Sequence, residues 1–140
     1  MSKIAVVFWT GTGNTYAMAE AVAAGAREKG AQVEVIGASD FSGDKVKDYD
    51  AIAFGCSAMG AEVLEEMEFE PMFADVEKYL QGKKIAIFGS YGWGDGLWMR
   101  EWEERCKMAG ANLVSDGLMA NGMPNDNEIA ECKSLGARLS

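Results

Sequence analysis

Three glycine-bearing stretches hold the residues that could do chemistry in this 140-residue chain. The first is Thr10-Gly11-Thr12-Gly13-Asn14-Thr15, four hydrogen-bonding side chains and two glycines without a charge. It follows an apolar run, residues 4–9, and leads into an alanine-rich stretch, so it joins a strand to the start of a helix. Free N–H groups and the positive end of the helix dipole favour an anion there. No GK[ST] follows, and Tyr16 stands where a third glycine of GxGxxG would be, so neither nucleotide fingerprint is met. Neutral donors without a counter-charge suit a terminal monophosphate, whereas a triphosphate would require lysine or magnesium.

The other two stretches point to a ring. In Ser90-Tyr91-Gly92-Trp93-Gly94-Asp95-Gly96, Trp93 is flanked by glycines, while Trp98 and Trp102 fall on a helical stripe and are expected to pack inside. A planar apolar face presented on glycines suits stacking against a flat ring. Ser57-Ala58-Met59-Gly60-Ala61-Glu62 adds a soft face in Met59, a carboxylate in Glu62, and at Gly60 a residue able to take positive φ in a tight turn. A phosphate, a stacked ring and hydrogen bonds to a ring edge together describe FMN.

The elements around these stretches must bring them together. Residues 4–9, 51–56 and 85–89 are nearly continuous apolar runs and predict strands buried on both faces. Residues 32–37 and 112–119 are mixed and predict edge strands, the last interrupted by Ser115-Asp116. Helical patterns cover 14–29, 69–80 with Pro71 in the first turn, 98–109 and 129–139, with a weaker helix over 40–49 capped by Asp40. The alternation predicts an α/β fold, a doubly wound five-stranded parallel sheet of order 2-1-3-4-5 with helices on both faces. Its ligand crevice lies at the carboxyl ends of strands 1 and 3, where the three stretches emerge. No linker divides the chain, so residues 1–140 are expected to form one domain.

Composition excludes several classes. Thirteen basic residues against 22 acidic ones give a net charge of −9, which disfavours nucleic acid. No apolar run is long enough for a membrane span. There is no histidine, which removes Ser-His-Asp and Cys-His catalysis, and no catalytic residue or metal site is expected. Cys56, Cys106 and Cys132 form no CxxC and are expected as buried free thiols of a cytoplasmic protein. Seven carboxylates (62, 65, 66, 68, 70, 75, 77) occur without one Lys or Arg between them, either as a solvated face or as a patch that docks basic partners.

TGTGNT, GCSAMGAEVLEE with EFEP, and FGSYGWGDG with WMR, in that order, make the whole chain resemble the flavodoxins, in particular the short-chain bacterial group. Residues 112–119 leave no room for the insertion of the long-chain members. The resemblance implies a low-potential one-electron carrier on FMN, cycling mainly between neutral semiquinone and anionic hydroquinone. It implies that Thr10, Gly11, Thr12, Gly13, Asn14 and Thr15 hold the phosphate, that Trp93 and Met59 lie on opposite faces of the ring, and that Glu62 binds the N3–H edge. Gly60 would be a pivot whose carbonyl turns to the flavin N5–H. Ser57, Ala58, Ala61, Ser90, Tyr91, Gly92, Gly94 and Asp95 complete the two ring loops. Ala61 stands where close relatives often carry Asp, so the family's potentials are not carried over. Implied partners are reductases and ferredoxin-dependent enzymes with basic docking surfaces, met by a monomer. The alternative is a small FMN-dependent NAD(P)H:quinone reductase of related fold. A phosphoacceptor receiver domain shares the strand order but needs carboxylates where Trp9-Thr10 and Cys56-Ser57 stand.

Overall fold

Runs of Ala, Val, Ile and Phe with no polar interruption can only be satisfied between two covering layers, and three such strands form the centre of the sheet. They are β1 (Lys3–Trp9), β3 (Ala51–Cys56) and β4 (Lys84–Tyr91), each buried along its middle. The computed structural model describes residues 2–60 and 62–140; Met1 and Ala61 lie outside the described residues. β2 (Gln32–Gly37) pairs with β1 on one side, and all pairings are parallel in the order β2-β1-β3-β4-β5. Ile4 faces Val33 on one neighbour and Ala51 on the other, so β1 is the strand from which the chain winds both ways.

The expected fifth strand is in fact two. β5 (Asn112–Leu113) pairs with Lys84 and Ile85, and β6 (Leu118–Asn121) pairs with residues 88–91 of the same strand. Between them the Gly117 N–H donates to the Glu103 carboxylate instead of to the ladder, and Ser115 Oγ donates to the Asp116 carbonyl. Local side-chain bonding thus competes with strand pairing over four residues.

Helix α1 (Asn14–Glu28) and α4 (Asp126–Leu139) cover one face, over a core that includes Ile4, Val6, Met18, Val22 and Phe88. α2 (Phe69–Val76) and α3 (Leu97–Met108) cover the other, over Phe54, Phe69, Phe73, Trp98 and Trp102. α4 opens with a reciprocal cap: the Glu128 N–H donates to Asn125 Oδ1 (2.8 Å) and the Asn125 N–H to Glu128 Oε1 (2.9 Å). The helix expected over 40–49 is replaced by two short 3-10 turns, Ala38–Asp40 and Gly43–Asp48, the second preceded by Ser42 and not by Asp40. Glycine is a poor helix former, and Gly43 is held by a bond from its N–H to Asp75 (2.8 Å) under the Tyr79 ring. No described helix is long and apolar enough to cross a membrane. All three cysteines are free and buried, and burial pushes each thiol up to about 12.

α1 and α4 approach so closely that each contributes a glycine to the contact. A Cβ on Gly136 would collide with the Val22 carbonyl, and one on Gly25 with the Lys133 carbonyl, backbone in both cases. Since α1 carries the first chemical loop at its N-terminus, this contact also sets where that loop points. Gly136→Ala is expected to destabilise the protein by about 1–3 kcal/mol through overpacking, seen as a lower urea midpoint with an unchanged denaturant slope.

Candidate functional site

The loops after β1, β3, β4 and β6 meet at the carboxyl end of the sheet around a cleft of about 340 Å³. Its walls are Trp9, Gly11, Thr12 and Asn14 from the first loop, residues 57–59 from the second, 90–92 from the third and Gly122 from the last. None of these residues carries a charge. Gly13 sits in the left-handed region (φ 95°) and its N–H donates to Thr10 Oγ1 (3.0 Å), which turns the chain into α1. No side chain caps α1 and no acidic residue occupies its first turn, so its first N–H groups remain for a ligand. An uncapped helix end, hydroxyl and amide side chains on the wall, and no competing carboxylate fit the phosphate of FMN.

The ring loops are held by carboxylates. In the turn over 59–62 the Glu62 N–H donates to the Met59 carbonyl (2.7 Å), with Gly60 first of the two central residues. Gly60 is not in the left-handed region, and a Cβ there would meet open space. The turn is therefore seen in a form other than the positive-φ one considered from the sequence. Glu62 does adopt positive φ (54°). Its Oε1 accepts from the Leu97 N–H (3.1 Å) and its carboxyl group rests on Gly94, so it caps α3 and ties the Met59 turn to the tryptophan loop. Trp93 is 63% exposed between exposed Gly92 and Gly94. Asp95 forms an exposed ion pair with Arg100 (3.3 Å). Tyr91 lines the cleft and leans on Trp98, ring centres 5.6 Å apart. Ala61 lies outside the described residues.

Thr15 is placed differently from its neighbours. It is fully buried, and its hydroxyl is engaged with Ser57 Oγ (2.7 Å) and the Ser90 N–H (3.2 Å). Two wall residues escaped the sequence reading. Trp9 ends β1 with its ring against Gly11, and Gly122 follows β6. The turn-forming NGMPN at 121–125 is the signal that could have pointed to Gly122.

The acidic stretch is mostly committed to structure. Glu65 is 5% exposed and accepts from the N–H groups of Met67 (2.7 Å), Glu68 (2.7 Å) and Phe69 (2.9 Å), which closes the loop leading into α2. Burial pushes its carboxyl pKa up, but the three N–H bonds outweigh that and hold it below the usual range. Arg105 grips Glu70 through both carboxylate oxygens (2.8 and 2.7 Å) and Glu77 likewise (2.9 and 3.0 Å), 5.0 Å above the Phe73 ring. These carboxylates raise the Arg105 pKa, Glu70 foremost. Asp75 accepts from Gly43 and Glu62 from Leu97. Among the described residues, Glu66 and Glu68 are the carboxylates of this stretch left exposed to solvent with no side-chain partner. The stretch is thus neither a bare solvated face nor a seven-charge patch.

A family model described as Flavodoxin matches residues 6–136. The flavodoxin of Clostridium beijerinckii is 45% identical over 135 residues, 96% of this chain and 97% of that one. That of Megasphaera elsdenii is 44% identical over 133 residues, 95% of each. The solution structure of two-electron reduced Megasphaera elsdenii flavodoxin superposes with a TM-score of 0.90, covering 97% of both chains.

The caps on the ring loops have a pH signature. Glu65, with its folded pKa below the ordinary unfolded value near ~4.3, stabilises the fold fully above that pH and loses its contribution as pH falls through the folded value. Glu65→Gln removes the charge and one acceptor, so at pH 7 it is expected to be less stable by about 1–3 kcal/mol. Urea midpoints of the two proteins should converge between pH 5 and about 3.

Proposed function

This chain belongs to the flavodoxin family, the FMN-dependent electron carriers, and on that premise we propose that it is a low-potential carrier working between the half-reduced and fully reduced forms of the flavin. It transfers electrons and has no substrate of its own to turn over. The observation that carries the finer reading is the uncharged cleft at the uncapped end of α1 beside an exposed, glycine-flanked Trp93. In this reading the 10–15 loop takes the phosphate, through backbone N–H groups and the side chains of Thr10, Thr12 and Asn14. Trp93 and Met59 take the two faces of the ring. Glu62 keeps Oε1 on the Leu97 N–H and has its second oxygen left for the ring edge.

The flavin supplies the redox chemistry, and the chain sets the energies of its charge states. No lysine or arginine lines the cleft to offset negative charge as it builds up. A carboxylate ~10 Å away at an effective dielectric constant of ~20 opposes a further electron by ~1.7 kcal/mol, or ~70 mV. That favours a low second potential. We place the protein in a reducing cytoplasm, as one domain and a monomer, which fits its three buried thiols. Its partners would be reductases and ferredoxin-dependent enzymes presenting basic surfaces, met by the free charges of Glu66 and Glu68 and by the apolar Met67 and Trp93. Purified protein should bind FMN and leave NADH and NADPH unoxidised unless a reductase is added; rapid oxidation of either by the protein alone would favour the quinone reductase reading.

Two further outcomes test the parts. Gly60 has room for a side chain as it stands, and a Cβ is penalised only in the left-handed turn that would aim its carbonyl at the ring. Gly60→Val should leave folding and FMN binding intact and lower the first potential by roughly 40–90 mV, equivalent to about 1–2 kcal/mol, while the second rises or stays level. A spectroelectrochemical titration resolves the two. Electron transfer to a basic partner should slow as salt rises from about 10 to 300 mM. Glu66→Gln with Glu68→Gln should flatten that dependence in stopped-flow measurements.

A further inference from the structure

We propose that Thr15 is a positioning residue: its buried hydroxyl joins the four loops of the cleft and turns Ser57 into a donor facing the ligand. The proposal rests on the reading that the cleft holds FMN with its phosphate at residues 10–15, and it assigns the Thr15 side chain a task other than binding that phosphate. Thr12 and Asn14, in the same loop, line the cleft, whereas Thr15 is fully buried behind it.

Counting donors sets the direction of the network. The Ser90 N–H can only donate, so Thr15 Oγ1 accepts it (3.2 Å). A hydroxyl has one proton and two acceptor sites, and the Thr15–Ser57 contact at 2.7 Å needs one proton from either partner. If Thr15 gives its proton to Ser57, the Ser57 proton is released into the cleft that Ser57 lines. The chain Ser90 N–H to Thr15 O–H to Ser57 O–H then runs one way and ends on the ligand, and each bond polarises the next. An anionic or carbonyl-bearing ligand selects that arrangement over its reverse.

The same hub reaches the remaining loops. Ser90 Oγ donates to the Gly122 carbonyl (2.7 Å), the Ala58 N–H donates to the Ser90 carbonyl (3.0 Å), and the Gly122 N–H donates to the Tyr91 carbonyl (2.9 Å). The first turn of α1 is thereby linked through one threonine to the loops after β3, β4 and β6. The backbone N–H of Thr15 stays in that first turn, free for the phosphate, while the side chain acts on the rest of the site.

Riboflavin, which lacks the phosphate, separates the two roles. The full-length chain, freed of FMN, is titrated with FMN and with riboflavin, following flavin fluorescence, as wild type, Thr15→Val, Thr15→Ser and Thr12→Val. Thr15→Val should weaken both ligands by the same factor, about tenfold, and Thr15→Ser should restore both. In the flavin-free chain the Ser90 amide proton should move upfield in Thr15→Val and return in Thr15→Ser. Loss of FMN affinity with riboflavin unchanged would make Thr15 a phosphate ligand and overturn the proposal, as would a Thr15→Val that alters stability but neither affinity. Should Thr15→Val not fold, Ser57→Ala carries the test: it should weaken both ligands and shift the Ser90 amide, and an unmoved amide overturns the coupling. Thr12→Val tests the underlying reading instead, since it should weaken FMN alone; equal binding of FMN and riboflavin by the wild type would remove that reading whatever Thr15 does.

Discussion

A phosphate dianion can be held without a cation only where several neutral donors converge on one point and no carboxylate competes. The start of α1 meets that constraint. Gly13 in the left-handed region turns the chain so that the first N–H groups of the helix face the cleft, and no side chain caps them. The neutral wall of Thr12 and Asn14 adds to them. α1 can stand there because β1 is the strand from which the chain winds both ways, and because two glycines let α4 press against its far side. The rest of the site is arranged around that anchored end.

Acidic residues do opposite work at the other end. The chain carries a net charge of −9, yet within 62–77 most carboxylates are turned inward onto backbone N–H groups or onto Arg105. Glu65 closes the loop into α2, Glu62 caps α3, and Glu70 with Glu77 clamps α2 to α3 through one guanidinium. These are charge-assisted bonds, and they fix the two loops between which a flat ring would slide. Their charge is not lost by this use. It still opposes a further electron in the cleft, so the groups that shape the ring site also depress the potential at which it fills.

Much of this was legible in the sequence. The continuous apolar runs of β1, β3 and β4 announce two covered faces, and TGTGNT and SYGWGDG announce the loops between them. What could not be read depends on distant partners. The break between β5 and β6 follows from Glu103 on α3 taking the Gly117 N–H. The missing helix over 40–49 follows from Asp75 and Tyr79 closing on Gly43. Thr12 and Thr15 are the same residue type three apart, and only the fold decides that one faces the cleft while the other is buried beneath it. The acidic stretch reads as surface by composition, since nothing in 62–77 shows that Arg105 will cross to meet it.

The central claim is that an uncharged cleft among carboxylates makes bound FMN accept its two electrons separately, the second at a much lower potential. A potentiometric titration of the FMN-loaded protein, followed by its visible spectrum, measures this directly. Two resolved one-electron steps, with the half-reduced form accumulating between them and the second potential well below that of free FMN, are the expected result. A single two-electron step, or a second potential at or above that of free FMN, would contradict the account.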